Sequence, residues 1–166
     1  NDALRLSGLT GGWRFLGEIG QFIEIDGLAY AWDDNILYGV VSGTSTDVLV
    51  TLDPNTGKQT STVASTENGS AKIVALAYDP GPTSSATDDL LLALQTDGVD
   101  EVLVEIDLAT GVFATLGFLE GDGLTGLAYD SSQQRLFASG TFEAIEGLFE
   151  IDRNCSGICT VTLTPD

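Results

Sequence analysis

The side chains with chemical potential in this 166-residue chain are overwhelmingly carboxylates: 25 Asp and Glu stand against 6 Lys and Arg, and histidine is absent. They gather at Asp33 and Asp34 beside Asn35, at Asp88 with Asp89, at Asp97, Asp100 and Glu101, and at Asp122. Calcium takes about six to eight oxygen ligands, so turns carrying Asp33, Asp34, Asp97, Asp100 or Glu101 are where it would be held. None of the clusters has the spacing of an EF-hand loop. Solvated carboxylates in turns between strands are the plainer reading.

Catalysis finds little support in the residue types. There is no histidine base, no G-x-S-x-G elbow, and no thiol paired with a base, so an activated nucleophile has no means of activation. Two carboxylates can hydrolyse a glycoside when folding sets them about 5 to 9 Å apart, but among 25 acids such pairs arise by chance. The expectation is a non-enzyme with no cofactor other than calcium. Trp32 has no counterpart elsewhere in the chain's repeats, described below, and is the aromatic to test for stacking on a ligand such as a sugar ring.

Cys155 and Cys159 are the only cysteines, and they enclose three residues in NCSGIC, where Gly157 lets the backbone turn back. A local disulfide in an exported protein is the expected state; a zinc site would need further ligands that the chain does not offer nearby. Asn68-Gly69-Ser70 and Asn154-Cys155-Ser156 both fit the N-glycosylation pattern, making Asn68 and Asn154 glycan candidates. With a net charge of -19 the surface repels phosphate, which makes nucleic acid and anionic lipid poor partners, and neither is expected. No window is long and apolar enough for a membrane span. These features together point to an extracellular or cell-surface protein.

The elements that must position these groups come from a repeat. GLAY at 27–30, ALAY at 75–78 and GLAY at 126–129 set Tyr30, Tyr78 and Tyr129 at spacings of 48 and 51. Each is followed by a polar turn and a second apolar run, ILYGVV, LLLAL or RLFAS. Then comes a third, VLVTLD, VLVEID or GLFEID. After the first two, NTGK and LATG supply hairpin chemistry, with Gly57 and Gly111 suited to positive φ. Each unit therefore has four short strands, A to D. In strand C, Val48, Val50 and Leu52 correspond to Val102, Val104 and Ile106 and to Gly147, Phe149 and Ile151. The opposite face carries Leu49, Leu103 and Leu148. A strand apolar on both faces belongs between packed layers, and the repeated tyrosines read as packing residues.

The amino terminus fits the second half of the same template, since LRLSGLTGG resembles LVEIDLATG and WRFLGEIG resembles VFATLGFL. Residues 1–20 are thus a half unit of strands C and D, followed by units at 21–67, 68–120 and 121–166. Where LAY, LY and ID-x-x-TG recur together, the chain resembles the secreted bacterial propeller-repeat proteins whose blades read GLAYDP, LYG and L-x-x-IDP-x-TG. YDP is kept only at Tyr78-Asp79-Pro80.

That resemblance implies an all-β, propeller-like stack of four-stranded antiparallel blades, about three and a half in this chain. Such a count does not close a ring. The expected consequence is completion by other copies, in a filament or oligomer, with Leu4, Leu6, Trp13, Phe15 and Leu16 of the half blade as assembly residues. The function that follows is a non-catalytic structural or adhesion protein. The alternative is a piece of a larger propeller, either a calcium-dependent hydrolase or lactonase or a module binding carbohydrate or protein.

Overall fold

The computed structural model describes residues 2–6, 13–18, 24–67, 71–81, 89–121 and 123–164, the first two of these segments as backbone alone. All regular structure among them is β. A two-stranded antiparallel sheet pairs β1 (Asp2–Leu6) with β2 (Trp13–Glu18), with Leu4 opposite Phe15 and Leu6 opposite Trp13. Leu16 also lies on β2.

Three larger sheets follow. The first joins β3 (Gly27–Ala31), β4 (Ile36–Ser42), β5 (Thr46–Leu52) and β6 (Gln59–Glu67) in chain order. The second does the same with β7 (Lys72–Asp79), β8 (Leu90–Thr96), β9 (Glu101–Asp107) and β10 (Phe113–Leu119). The third consists of β11 (Leu124–Asp130), β12 (Arg135–Phe142), β13 (Ile145–Ile151) and the short β15 (Val161–Leu163). Every neighbouring pair within these four-stranded meanders is antiparallel. Among the described residues no helix is long and apolar enough to cross a membrane.

The sheets stack face to face as propeller-like blades. Their first strands lie side by side, β7 against β3 on one side and β11 on the other. Each blade has a forward face toward the next blade and a rear face toward the previous one, as alternation along the strand requires. Ala29, Tyr38, Val40 and Leu49 on the forward face of blade 1 pack on Leu76, Tyr78, Leu91 and Val104 on the rear of blade 2. Ala77, Leu92, Leu94 and Leu103 on the forward face of blade 2 pack on Leu136, Ala138, Phe149 and Ile151 of blade 3. Blade 2 is therefore apolar on both faces. Each leucine sealed in a seam contributes about 2 kcal/mol by removal from water.

The hairpins joining third to fourth strands in blades 1 and 2 follow the expected chemistry. Gly57 and Gly111 both adopt φ of 71°. Asp53 accepts from the Asn55 N–H and the Thr56 hydroxyl, and Asp107 from the N–H groups of Ala109 and Thr110. Hydrogen bonding favours the charged form and holds both carboxyls below the usual range, led by the Asn55 N–H for Asp53 and by the Thr110 side chain for Asp107.

Blade 3 departs from the others in the loop between its third and fourth strands, which adds a fifth strand to the sheet of blade 2. Its corresponding loop is tied by the Cys155–Cys159 disulfide and contributes β14 (Gly157–Ile158), which pairs parallel with the outer strand of blade 2. Cys159 is buried in the seam between blades 2 and 3, and its N–H donates to Phe118 O at 2.7 Å. The loop reaches the neighbour because Gly117 has no side chain. A Cβ there would stand 2.6 Å from Cys159 Sγ and 2.7 Å from Gly157 O.

Candidate functional site

The carboxylates come together at the seams between blades. Tyr78, at the end of β7, points its hydroxyl into the turn after β3 and donates to Asp33 Oδ1 at 2.7 Å. Asp34 and the buried Asp89 complete a group whose carboxylate oxygens lie within 4.8 Å of one another. Burial first, then hydrogen bonding to Asp33 and Asp89, pushes the Tyr78 phenol far above its ordinary range, so it stays a donor. Tyr38 is raised as well, by burial first and then by the charges of Asp34, Asp89 and Asp33. These three carboxylates are the set that would face a divalent cation.

At the next seam the repeat-equivalent tyrosine meets a protein cation instead. Arg153 donates to the Tyr129 hydroxyl at 2.7 Å, pairs with Asp79, and lies over the Tyr129 ring at 5.1 Å from its centroid, within cation–π range. This arrangement lines a cavity of 220 Å³ that also touches Gly81 and Asn154.

The other acidic candidates separate. Asp97 accepts from the N–H groups of Val99 and Asp100 within the β8–β9 hairpin, and those bonds, Asp100's first, lower its pKa. Glu101 leaves that hairpin altogether. It is fully buried on the forward face of blade 2, where Oε1 accepts from the N–H groups of Gly123 and Leu124, both at 2.8 Å, at the start of blade 3. Asp47 holds the equivalent position in blade 1 and is also fully buried; Gln95 Nε2 approaches its Oδ2 at 3.4 Å. The structure does not bring Asp97, Asp100 and Glu101 together: the strand period turns Glu101 inward while the hairpin keeps the two aspartates outside. Asp88 and Asp122 lie outside the described residues.

Trp32 is 62% exposed and lines a groove of 230 Å³ that crosses the first strands of all three blades, together with Leu28, Tyr30, Leu76 and Leu127. Tyr30 is not packed as its two counterparts are; its hydroxyl donates to Asn35 Oδ1 at 2.7 Å on the surface. Asn154 is exposed, whereas Asn68 lies outside the described residues. Leu4, Leu6, Trp13, Phe15 and Leu16 fall on the β1–β2 pair, whose side chains are not described.

The two ends of the stack differ from its seams. Leu49 and Leu103 are fully buried on the forward faces of blades 1 and 2, whereas the equivalent Leu148 of blade 3 is 48% exposed. Ala29 and Ala77 are buried, but Ala128 is exposed. On the rear of blade 1 exposure is confined to β3, where Leu28 is 51% exposed and its counterpart Leu76 is 2% exposed, while Val50 and Leu52 on β5 are buried. Arg135 bridges part of the open forward face, pairing with Glu150 and lying 4.8 Å from the Phe137 ring centroid.

Sheets and seams of this form define a propeller-type blade stack. No protein-family model matches the sequence, and no curated protein matches it. Among solved structures it is similar to the Dos1 propeller, at 11% identity with a TM-score of 0.42, over 95% of this chain and 52% of that one. The chain thus spans about half the length of that propeller.

Proposed function

We propose that this chain is a non-catalytic, extracellular structural or adhesion protein whose blade stack is completed by other copies of itself. The observation that carries the reading is Leu148. It repeats Leu49 and Leu103 in type and place, yet it stands half in water where both of those are sealed. An apolar sheet face patterned like two buried ones is patterned for a cover.

On the rear of blade 1, Leu28 and Tyr30 on β3 are exposed while Val50 and Leu52 on β5 are buried, so a head-to-tail contact between copies would use the β3 side of that face. Such contacts give rings or filaments according to whether the rotation closes. The incomplete β1–β2 pair offers a second means of union, by accepting strands along its edge. The Cys155–Cys159 disulfide and the acidic surface support an oxidising, extracellular setting.

Sedimentation velocity at low micromolar concentration tests the proposal. The chain is expected to form oligomers or fibres, and Leu148→Asp to reduce it to a folded monomer, because that side chain is already exposed when the molecule is alone. A wild-type chain that stays a compact monomer across the concentration range overturns it.

A further inference from the structure

Asp47 is fully buried in the seam between blades 1 and 2, yet no side chain neutralises it. Its Oδ2 meets only the Gln95 amide, at a long 3.4 Å from Nε2, and among the described residues its Oδ1 has no hydrogen-bond partner. The ion pairs among those residues are Arg135 with Glu150 and Arg153 with Asp79, so no Lys or Arg reaches it. A charged carboxylate buried with so little around it to replace water is costly.

The next seam shows the same position satisfied from within the protein. VLVTLD and VLVEID align Asp47 with Glu101 by their places ahead of Asp53 and Asp107. Glu101 Oε1 gathers the N–H groups of Gly123 and Leu124, both at 2.8 Å. The corresponding pair for Asp47 is Lys72 and Ile73, since Ile73 precedes Ala75 as Leu124 precedes Gly126. Asp47, one methylene shorter, takes a bond from neither.

Oxygen atoms stand near Asp47 instead. Ser42 is its partner across the β4–β5 pair, and the Ser42 hydroxyl donates to Ile73 O at 2.9 Å. Ile73 is in turn paired with Gln95 across β7–β8, and Gln95 returns to Asp47. Four residues from two blades thus close a polar ring through the seam. Having given its hydrogen to Ile73, the Ser42 oxygen keeps its lone pairs, the Ile73 carbonyl keeps one, and a turn of the Gln95 amide presents oxygen in place of nitrogen. Ser42 and Gln95 are half-buried, which leaves a way in from solvent.

We infer that this ring is a binding site for a hard cation, calcium foremost, with Asp47 Oδ1 as its charged ligand. Carboxylate, hydroxyl, carbonyl and amide oxygens are the donors such ions take, and water supplies the remainder. A water molecule alone would leave the buried charge in place, whereas a cation cancels it, and a chain of charge -19 concentrates cations around itself. With a single carboxylate the affinity belongs to the weak end of calcium sites, about 1 mM. The site is separate from the trio of Asp33, Asp34 and Asp89, which gathers at the opposite end of β4. It does not depend on whether copies of the chain join.

Thermal melting of the whole chain in calcium chloride tests the site, with EDTA defining zero and potassium chloride holding ionic strength constant. Between zero and about 10 mM calcium the wild type is expected to gain about 4 °C, in a saturating curve. Asp47→Asn, which removes the charge at nearly constant shape, should abolish the gain. Asp47→Glu should abolish it too, because the longer side chain reaches the N–H groups of Lys72 and Ile73 as Glu101 reaches its own pair; this variant decides alone should Asp47→Asn fail to fold. Asp34→Asn, in the exposed trio, should keep the gain. A wild type that gains nothing overturns the site and leaves a proton or a water molecule to complete Asp47. A gain that survives in Asp47→Asn or Asp47→Glu, or that vanishes in Asp34→Asn, overturns it as well and assigns calcium to other carboxylates.

Discussion

Glu101 satisfies two N–H groups of the following blade from full burial, so its loss should be felt by the fold. Glu101→Ala leaves the buried Leu124 N–H and the Gly123 N–H without their acceptor and is expected to cost about 2 kcal/mol, read as a lower urea midpoint with an unchanged slope. Its role could have been read from the chain. Glu101 lies two and four residues before Leu103 and Glu105, on the same face, and the acid recurs at Asp47 and Glu146. Adjacency to Asp97 and Asp100 obscured it, because proximity along a chain says nothing about which way a strand residue points. The trio of Asp33, Asp34 and Asp89 was legible only as two separate clusters, since a blade seam brings Asp89 across to the others.

At the level of elements, the four-stranded units were readable because each strand carries a period of two and each hairpin its own glycine. β14 was not. Two residues, Gly157 and Ile158, have no period, and their pairing with β10 depends on a loop being held against another blade. The disulfide closes a short loop, which in the chain-entropy picture stabilises by about 2 kcal/mol. Cys155→Ser is expected to lower stability by that order and to speed proteolysis within residues 153–160. Gly117→Ala should produce the same proteolytic sensitivity with the disulfide intact, because its methyl group would press on Cys159 and lift the loop from blade 2. Protection of the loop equal to wild type in both variants would show that the clasp does not depend on this contact.

For the molecule as a whole, apolar end faces and a charge of -19 act in opposition. On the proposed reading, copies attract through the faces and repel through everything else. Raising sodium chloride from about 50 mM to about 500 mM shortens the screening length severalfold and is expected to increase the sedimenting mass, the reverse of a charge-driven complex. Mass that falls with salt would instead assign the contact to ion pairs. The all-β, blade-stacked architecture was evident in the repeat because the same residues recur in three units. Which faces remain open was not, since exposure is a property of neighbours and not of the residues that lack them.

The outer margins of the blades carry a last consequence. The free edge of blade 1 is β6, a run of serine and threonine with few apolar side chains. That of blade 2 is overlaid by β14, and that of blade 3 is the three-residue β15. Long bare margins are where sheets of unrelated molecules zip into amyloid-like ribbons, and here each is blunted. Sideways growth is thus guarded, and if copies join as proposed, a crowded solution of this protein would lengthen before it clumped.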